Sequence, residues 1–154
     1  MIRTLAIGIL STLILPAMLA CEKLPAPVVP DPPQEPGTIK ITISGKTLPV
    51  KIEDNEATKA LVAALREASI TYEAHDYGGF EKVGALGRSL PASDTQITTQ
   101  AGDVILYSGN QIVLFYGSNT WSYTRLGKMQ YESLDELKSF LKAGEGNITV
   151  TLSL

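Results

Sequence analysis

Three runs of this chain alternate apolar and polar residues with a period of two: Ile39, Ile41 and Ile43; Leu48, Val50 and Ile52; and Ile148, Val150, Leu152 and Leu154. Such a period puts every apolar side chain of an extended segment on one face, so these runs predict strands with one buried side. The only cysteine is Cys21, which precedes all three runs. No disulfide can therefore staple the folded part, and it has to close around an apolar core.

The first two runs flank Ser44-Gly45-Lys46, a turn, and so predict a β-hairpin. Asp54 or Asn55 is placed to cap a helix predicted over 55–68, whose Ala57, Ala60, Leu61, Ala64, Leu65 and Ala68 recur at spacings of three and four. Residues 70–73 suit a short strand, and Gly78-Gly79, Gly84, Gly87 and Pro91 then interrupt regular structure. Residues 104–107 and 111–116 are β-prone and joined by Ser108-Gly109-Asn110, a second hairpin. Residues 117–120 end it in a loop. Ser133-Leu134-Asp135-Glu136 reads as a capping box for a second helix with an apolar stripe of Leu134, Leu137, Phe140 and Leu141, stopped by Gly144. Short strands with two helices and no internal repeat define a mainly β fold: a small closed barrel whose open ends the helices cover.

The N-terminal part is organised differently. Arg3 precedes an uncharged apolar stretch, 4–20, that ends in Ala20 before Cys21. Met18-Leu19-Ala20-Cys21 resembles the processing site of bacterial lipoproteins, in which the cysteine becomes the lipidated first residue. A retained membrane span needs roughly 20 apolar residues, and this run is shorter and broken by Gly8 and Pro16. Residues 22–37 hold six prolines and few core-forming side chains, the composition of a semi-rigid tether. The expected organisation is a signal peptide over 1–21 ending at lipidated Cys21, a Pro-rich tether over 22–37 and one domain over 38–154. It places the protein in the bacterial cell envelope, held to the membrane through its N-terminal lipid at the periplasmic face or the cell surface. Without the signal, 12 basic residues face 16 acidic ones, a formal net charge of −4. This mildly acidic chain carries no basic cluster and so no footprint for nucleic acid.

The tract Asp76-Tyr77-Gly78-Gly79-Phe80-Glu81-Lys82-Val83-Gly84 is followed by Leu90-Pro91 and then by Gly102-Asp103-Val104-Ile105-Leu106-Tyr107. Together with 117–127, Gly-Ser-Asn-Thr-Trp-Ser-Tyr-Thr-Arg-Leu-Gly, it resembles the bacterial cyclophilin-like domain family. The resemblance covers nearly all of 38–154 and implies a cyclophilin-type closed β-barrel with two helices. It does not carry over an isomerase site. The Phe-His tract and the Phe-Met-x-Gln-Gly-Gly-Asp string of prolyl isomerases are missing, and the single histidine, His75, stands in Ala-His-Asp-Tyr. An isomerase needs an apolar proline pocket beside a cation or donor aimed at the carbonyl or amide nitrogen. Arg88 or Arg125 could supply the cation, and Phe80, Tyr107, Trp121 or Tyr123 the walls.

Trp121 and Tyr123 are expected in a loop leading into a strand, with one of them packed as core. Arg125 shares the face of Tyr123 if the segment is extended, and an ion pair with Asp103 or Glu81 is the structural expectation for it. Glu81 and Lys82, near Asp76 and Tyr77, are expected to be solvated charges in a glycine-rich region. His75 has no second histidine or further cysteine with which to build a metal site, and no motif calls for a cofactor. The glycine spacing of 79–86 lacks the Lys-Ser/Thr ending of a phosphate loop, and Gly-x-Ser-x-Gly is absent. The sequence thus predicts a monomeric, non-catalytic module that binds a small molecule or peptide. Tyr77, Phe80, Glu81 and Arg88 are its candidate contacts along with Tyr107, Trp121, Tyr123 and Arg125. The alternative is a divergent peptidyl-prolyl isomerase or envelope folding factor.

Overall fold

The computed structural model describes residues 37–154; Cys21, the signal segment and the tether as far as residue 36 lie outside the described residues. The first alternating run is strand β1 (Thr38–Ile43) and the second is β2 (Lys46–Ile52). They pair antiparallel through a turn at Ser44 and Gly45, where φ is 49° and 76°. Ile39, Ile41 and Ile43 are all buried. Helix α1 (Glu56–Glu67) starts at Asn55, whose Oδ1 accepts from the Thr58 amide at 3.0 Å while the Thr58 hydroxyl stands 3.2 Å from the Asn55 amide, a reciprocal cap. Asn55 Nδ2 also donates to the Arg125 carbonyl at 2.8 Å, which fixes the helix start against a distant strand.

The glycine-rich middle is more regular than its composition implies. Strand β3 runs over Ile70–Tyr77 rather than ending at 73, and β4 (Glu81–Ala85) follows after Gly78-Gly79-Phe80. Both glycines have positive φ, so with Phe80 they make a tight three-residue hairpin turn instead of a break. Strand β5 (Thr95–Thr98), unmarked in the sequence, has a single apolar residue and mostly exposed side chains. Strands β6 (Asp103–Tyr107) and β7 (Gln111–Phe115) form the expected second hairpin. Strand β8 runs over Thr120–Met129, so Trp121 and Tyr123 are strand residues and not loop residues. Helix α2 (Leu134–Leu141), capped by the Ser133 side chain on the Glu136 amide, and β9 (Ile148–Ser153) complete the chain. Leu134 is exposed, so the buried stripe of α2 is Leu137, Phe140 and Leu141.

All pairings are antiparallel, in the order β2-β1-β9-β3-β4-β7-β6-β8, and β2 pairs back onto β8, which closes eight strands into a barrel with β5 attached outside the ring to β8. The interior core gathers isoleucines of β1, Val150 of β9, Leu114 of β7 and Leu126 of β8, with Leu61 of α1 and Phe140 of α2 packed into the same cluster. Closure brings β2 and β8 close together. A Cβ on Gly127 would strike the Lys51 carbonyl oxygen and lie 2.9 Å from the Ile52 Cα, so the seam requires glycine there.

Candidate functional site

Strand β8 does two jobs. Residues 124–129 belong to the barrel wall, paired with β6 and β2, whereas residues 120–123 pair with β5. The register slips between Val104 and Ile105, a bulge that re-aims the β8 side chains. As a result a second, smaller core forms on the opposite face of the barrel wall. It comprises Val83 of β4, Val113 and Phe115 of β7, Ile105 of β6 and Tyr123 of β8, with Phe80, Ile97 and Tyr107 packed against it. Its rings make a continuous row. Tyr77 meets Phe80 edge-on at 6.5 Å, and Phe80 stacks on Phe115 at 6.3 Å. Phe115 meets Tyr123 at 5.8 Å, and Tyr123 meets Tyr107 at 5.9 Å.

Glu81 lies in this row, opposite Tyr77 on β3 and opposite Phe115 on β7. It is only 6% exposed, and its Oε2 is buried with no hydrogen-bond partner. Burial pushes its carboxyl up to about 7. The expectation of a solvated Glu81-Lys82 pair is therefore overturned for both residues. Period two sends them to opposite faces of β4, and both faces of this strand are covered. Lys82 points inward, fully buried, with Nζ 2.8 Å from Asp76 Oδ2 and a bond to the Gly146 carbonyl. Asp76 also accepts from the Tyr116 hydroxyl and from the Gly144 and Gly146 amides, each at 3.0 Å. Burial pulls the Asp76 carboxyl upward, but the bonds from Lys82, the two glycine amides and Tyr116 outweigh it and hold the group at about 2. Tyr116 is pushed up to about 12, by burial first and then by its bond to Asp76. This network ties the loop after α2 to the barrel wall.

At the other end of the aromatic row, a cleft of about 420 Å³ opens between Glu53, Asp54 and Asn55 before α1 and, across from them, Ser93 before β5 with Thr95, Ile97, Tyr123, Thr124 and Arg125 of β5 and β8. Its volume falls within the range of small-ligand sites, about 300–1,000 Å³. Arg125 Nη1 is 2.6 Å from Asp103 Oδ2, which also accepts from the Gln100 amide at 2.9 Å. Asp103 is 1% exposed, and Lys128 stands 3.6 Å from its Oδ1, within ion-pair range but beyond a hydrogen bond. The guanidinium is thus anchored on its inner side, with one third of its side chain open to solvent. Tyr123 accepts from Asn119 Nδ2 at 2.9 Å, and burial raises its phenol despite that bond.

Of the candidate residues, Tyr77, Phe80, Glu81, Tyr107 and Tyr123 are brought onto one face, and Tyr123 joins that face to the cleft where Arg125 lies. Trp121 is 57% exposed and pairs across the ribbon with Ile97, but it does not line the cleft. Arg88 is exposed on the loop before β5, apart from both. The cleft residues Glu53, Ser93 and Thr95 were not indicated by the sequence, since nothing in it marks β5 or its pairing. Asp103 was legible as an ion-pair partner of Arg125. Among the described residues no group of three or more His, Cys, Asp or Glu is arranged to hold a metal ion.

A closed antiparallel barrel with two helices packed into its core and a side cleft beside one bent strand is the architecture of a cyclophilin-like domain. The model of the cyclophilin-like family matches residues 41–153, and the chain belongs to that family. No protein of curated function matches it. The solution structure of a hypothetical protein from Archaeoglobus fulgidus shares the fold, with a TM-score of 0.51 over 75% of this chain and 92% of that one at 16% sequence identity.

Proposed function

We propose that this cyclophilin-like domain is a ligand-binding module held to the bacterial cell envelope by a lipid on Cys21, and that its small-molecule or peptide ligand docks in the cleft beside Tyr123 and Arg125. The observation that carries the reading is the cleft itself, where an aromatic floor, an apolar Ile97 and a guanidinium fixed by a buried carboxylate converge with polar edges on both sides. Such a mixture of apolar area and a few oriented polar groups suits recognition. The hold of Asp103 on Arg125 favours binding over prolyl isomerisation, because a guanidinium already committed to a carboxylate offers fewer free donors to a substrate amide.

Two measurements test this. Mass spectrometry of the mature protein should find a diacylglyceryl-modified N-terminal Cys21 that is lost in Cys21→Ser; an unmodified chain starting elsewhere refutes the anchor. Thr95→Trp, which fills the cleft from an exposed strand position, should abolish peptide- or metabolite-library binding while leaving the melting curve unchanged. Acceleration of cis/trans exchange in a proline tetrapeptide, lost in Arg125→Lys, would instead make the protein an isomerase. The uncatalysed exchange takes roughly tens to hundreds of seconds, so even modest activity is measurable.

A further inference from the structure

We propose that Glu81, together with the rings of Tyr77, Phe80 and Phe115 that surround it, forms a binding site for an alkylammonium group, separate from the cleft at Arg125. Three observations converge on it. Glu81 is more than nine-tenths buried, yet its Oε2 meets no donor, and its only ion-pairing neighbour in sequence, Lys82, points to the other face and is held by Asp76. A buried carboxyl without a partner is costly to ionise, so a ligand that brings its own cation supplies what the fold lacks. Tyr77 and Phe115 stand directly across the two neighbouring strands from Glu81, and the Phe80 ring contacts both of them. Three ring faces and edges around one carboxyl are the surroundings that attract an ammonium through its charge and through the ring quadrupoles. Finally, one wall of the site is open to solvent. Phe80, the last residue of the Gly78-Gly79-Phe80 turn, is only half-buried, its ring filling the space a Cβ on Gly78 would need, and Tyr77 is 61% exposed.

An ammonium beside Glu81 favours the carboxylate, so binding expels the proton that burial retains on the group up to about pH 7. Other titratable groups near Glu81 are His75 and Tyr77 on β3, Tyr123 on β8 and Tyr116, whose phenol is raised by burial first and in part by the Glu81 charge while it bonds to Asp76; Asp76 and Lys82 face the interior network. The amine could be a free small molecule or a lysine side chain of a peptide, and the two probes below separate them.

The test is isothermal titration of the purified full chain in neutral detergent with n-butylammonium and, separately, with Nα-acetyl-lysine amide. Saturable binding of either should tighten about tenfold between about pH 6 and about pH 8, levelling above that, with proton release at the lower pH read from the dependence on buffer ionisation heat. Glu81→Gln, a neutral isostere of the protonated form, should fold and lose the binding and its pH dependence. His75→Gln and Thr95→Trp should keep both, which separates failure of this site from failure of the cleft. Binding of one probe only identifies the source. No saturable binding of either probe, equal binding by Glu81→Gln, or a pH dependence that vanishes in His75→Gln overturns the assignment.

Discussion

Two carboxylates of this domain are driven in opposite directions by their surroundings, and the pH dependence of stability should report both. Asp76 is held at about 2 against an ordinary value of 3.8. Its contribution is therefore fully present above about pH 4 and is lost as pH falls through 2, on the order of 2 kcal/mol. Asp76→Asn should abolish that acid limb in urea denaturation and, by stranding the buried Lys82 ammonium, cost about 3 to 5 kcal/mol near neutrality. Glu81 has the reverse sign. Its carboxyl is raised from 4.5 to about 7, so the stability it allows is present below 4.5 and declines as pH rises to 7, by about 3 kcal/mol. Glu81→Gln should flatten that decline and be the more stable protein at pH 8. These roles were hidden in the sequence, where Glu81-Lys82 reads as two adjacent surface charges. Only a three-residue turn, Gly78-Gly79-Phe80, sets Asp76 opposite Lys82 and Tyr77 opposite Glu81, and that turn was legible merely as a break.

At the scale of elements, what could be read in advance followed from period and capping. The first hairpin, both helix starts and β9 each have a strong local signal, because one face of each is buried and the other is wet, while the second hairpin, buried on both faces, is marked by its continuous apolar runs around Ser108-Gly109-Asn110. The ribbon formed by β5 and the first half of β8 has no such signal. Thr95, Gln96 and Thr98 are exposed, Ile97 is the lone apolar residue, and β8 loses simple alternation where Tyr123 and Thr124 are buried in succession and the bulge falls. Since this ribbon builds the cleft, the site was less legible than the fold. The closing seam offers a sharper test of element packing. Gly127→Ala forces a Cβ against the Lys51 carbonyl and the Ile52 backbone, neither of which can rotate away. The variant should lose about 3 kcal/mol, seen as a lowered urea midpoint, whereas Gly45→Ala, with open space around it, should lose less, its cost coming from the positive φ alone.

For the whole molecule, closure is the feature that bears on where the folding unit begins. Each of eight strands has a hydrogen-bonded neighbour on both sides, so no barrel edge needs covering from elsewhere, and the short, threonine-rich β5 is a poor template for edge-to-edge association. Both helices turn their apolar stripes into the same core, which is built from described residues. The chain beginning at Gly37 should therefore melt cooperatively as a monomer, with the same midpoint as the chain beginning at Glu22 to within a degree or so, since a proline-rich tether adds almost no apolar area to the core. Sedimentation and calorimetry of the two proteins decide it. A midpoint several degrees lower for the shorter chain, or its association into dimers, would mean that residues 22–36 pack on the barrel, and the tether would have to be counted as part of the fold.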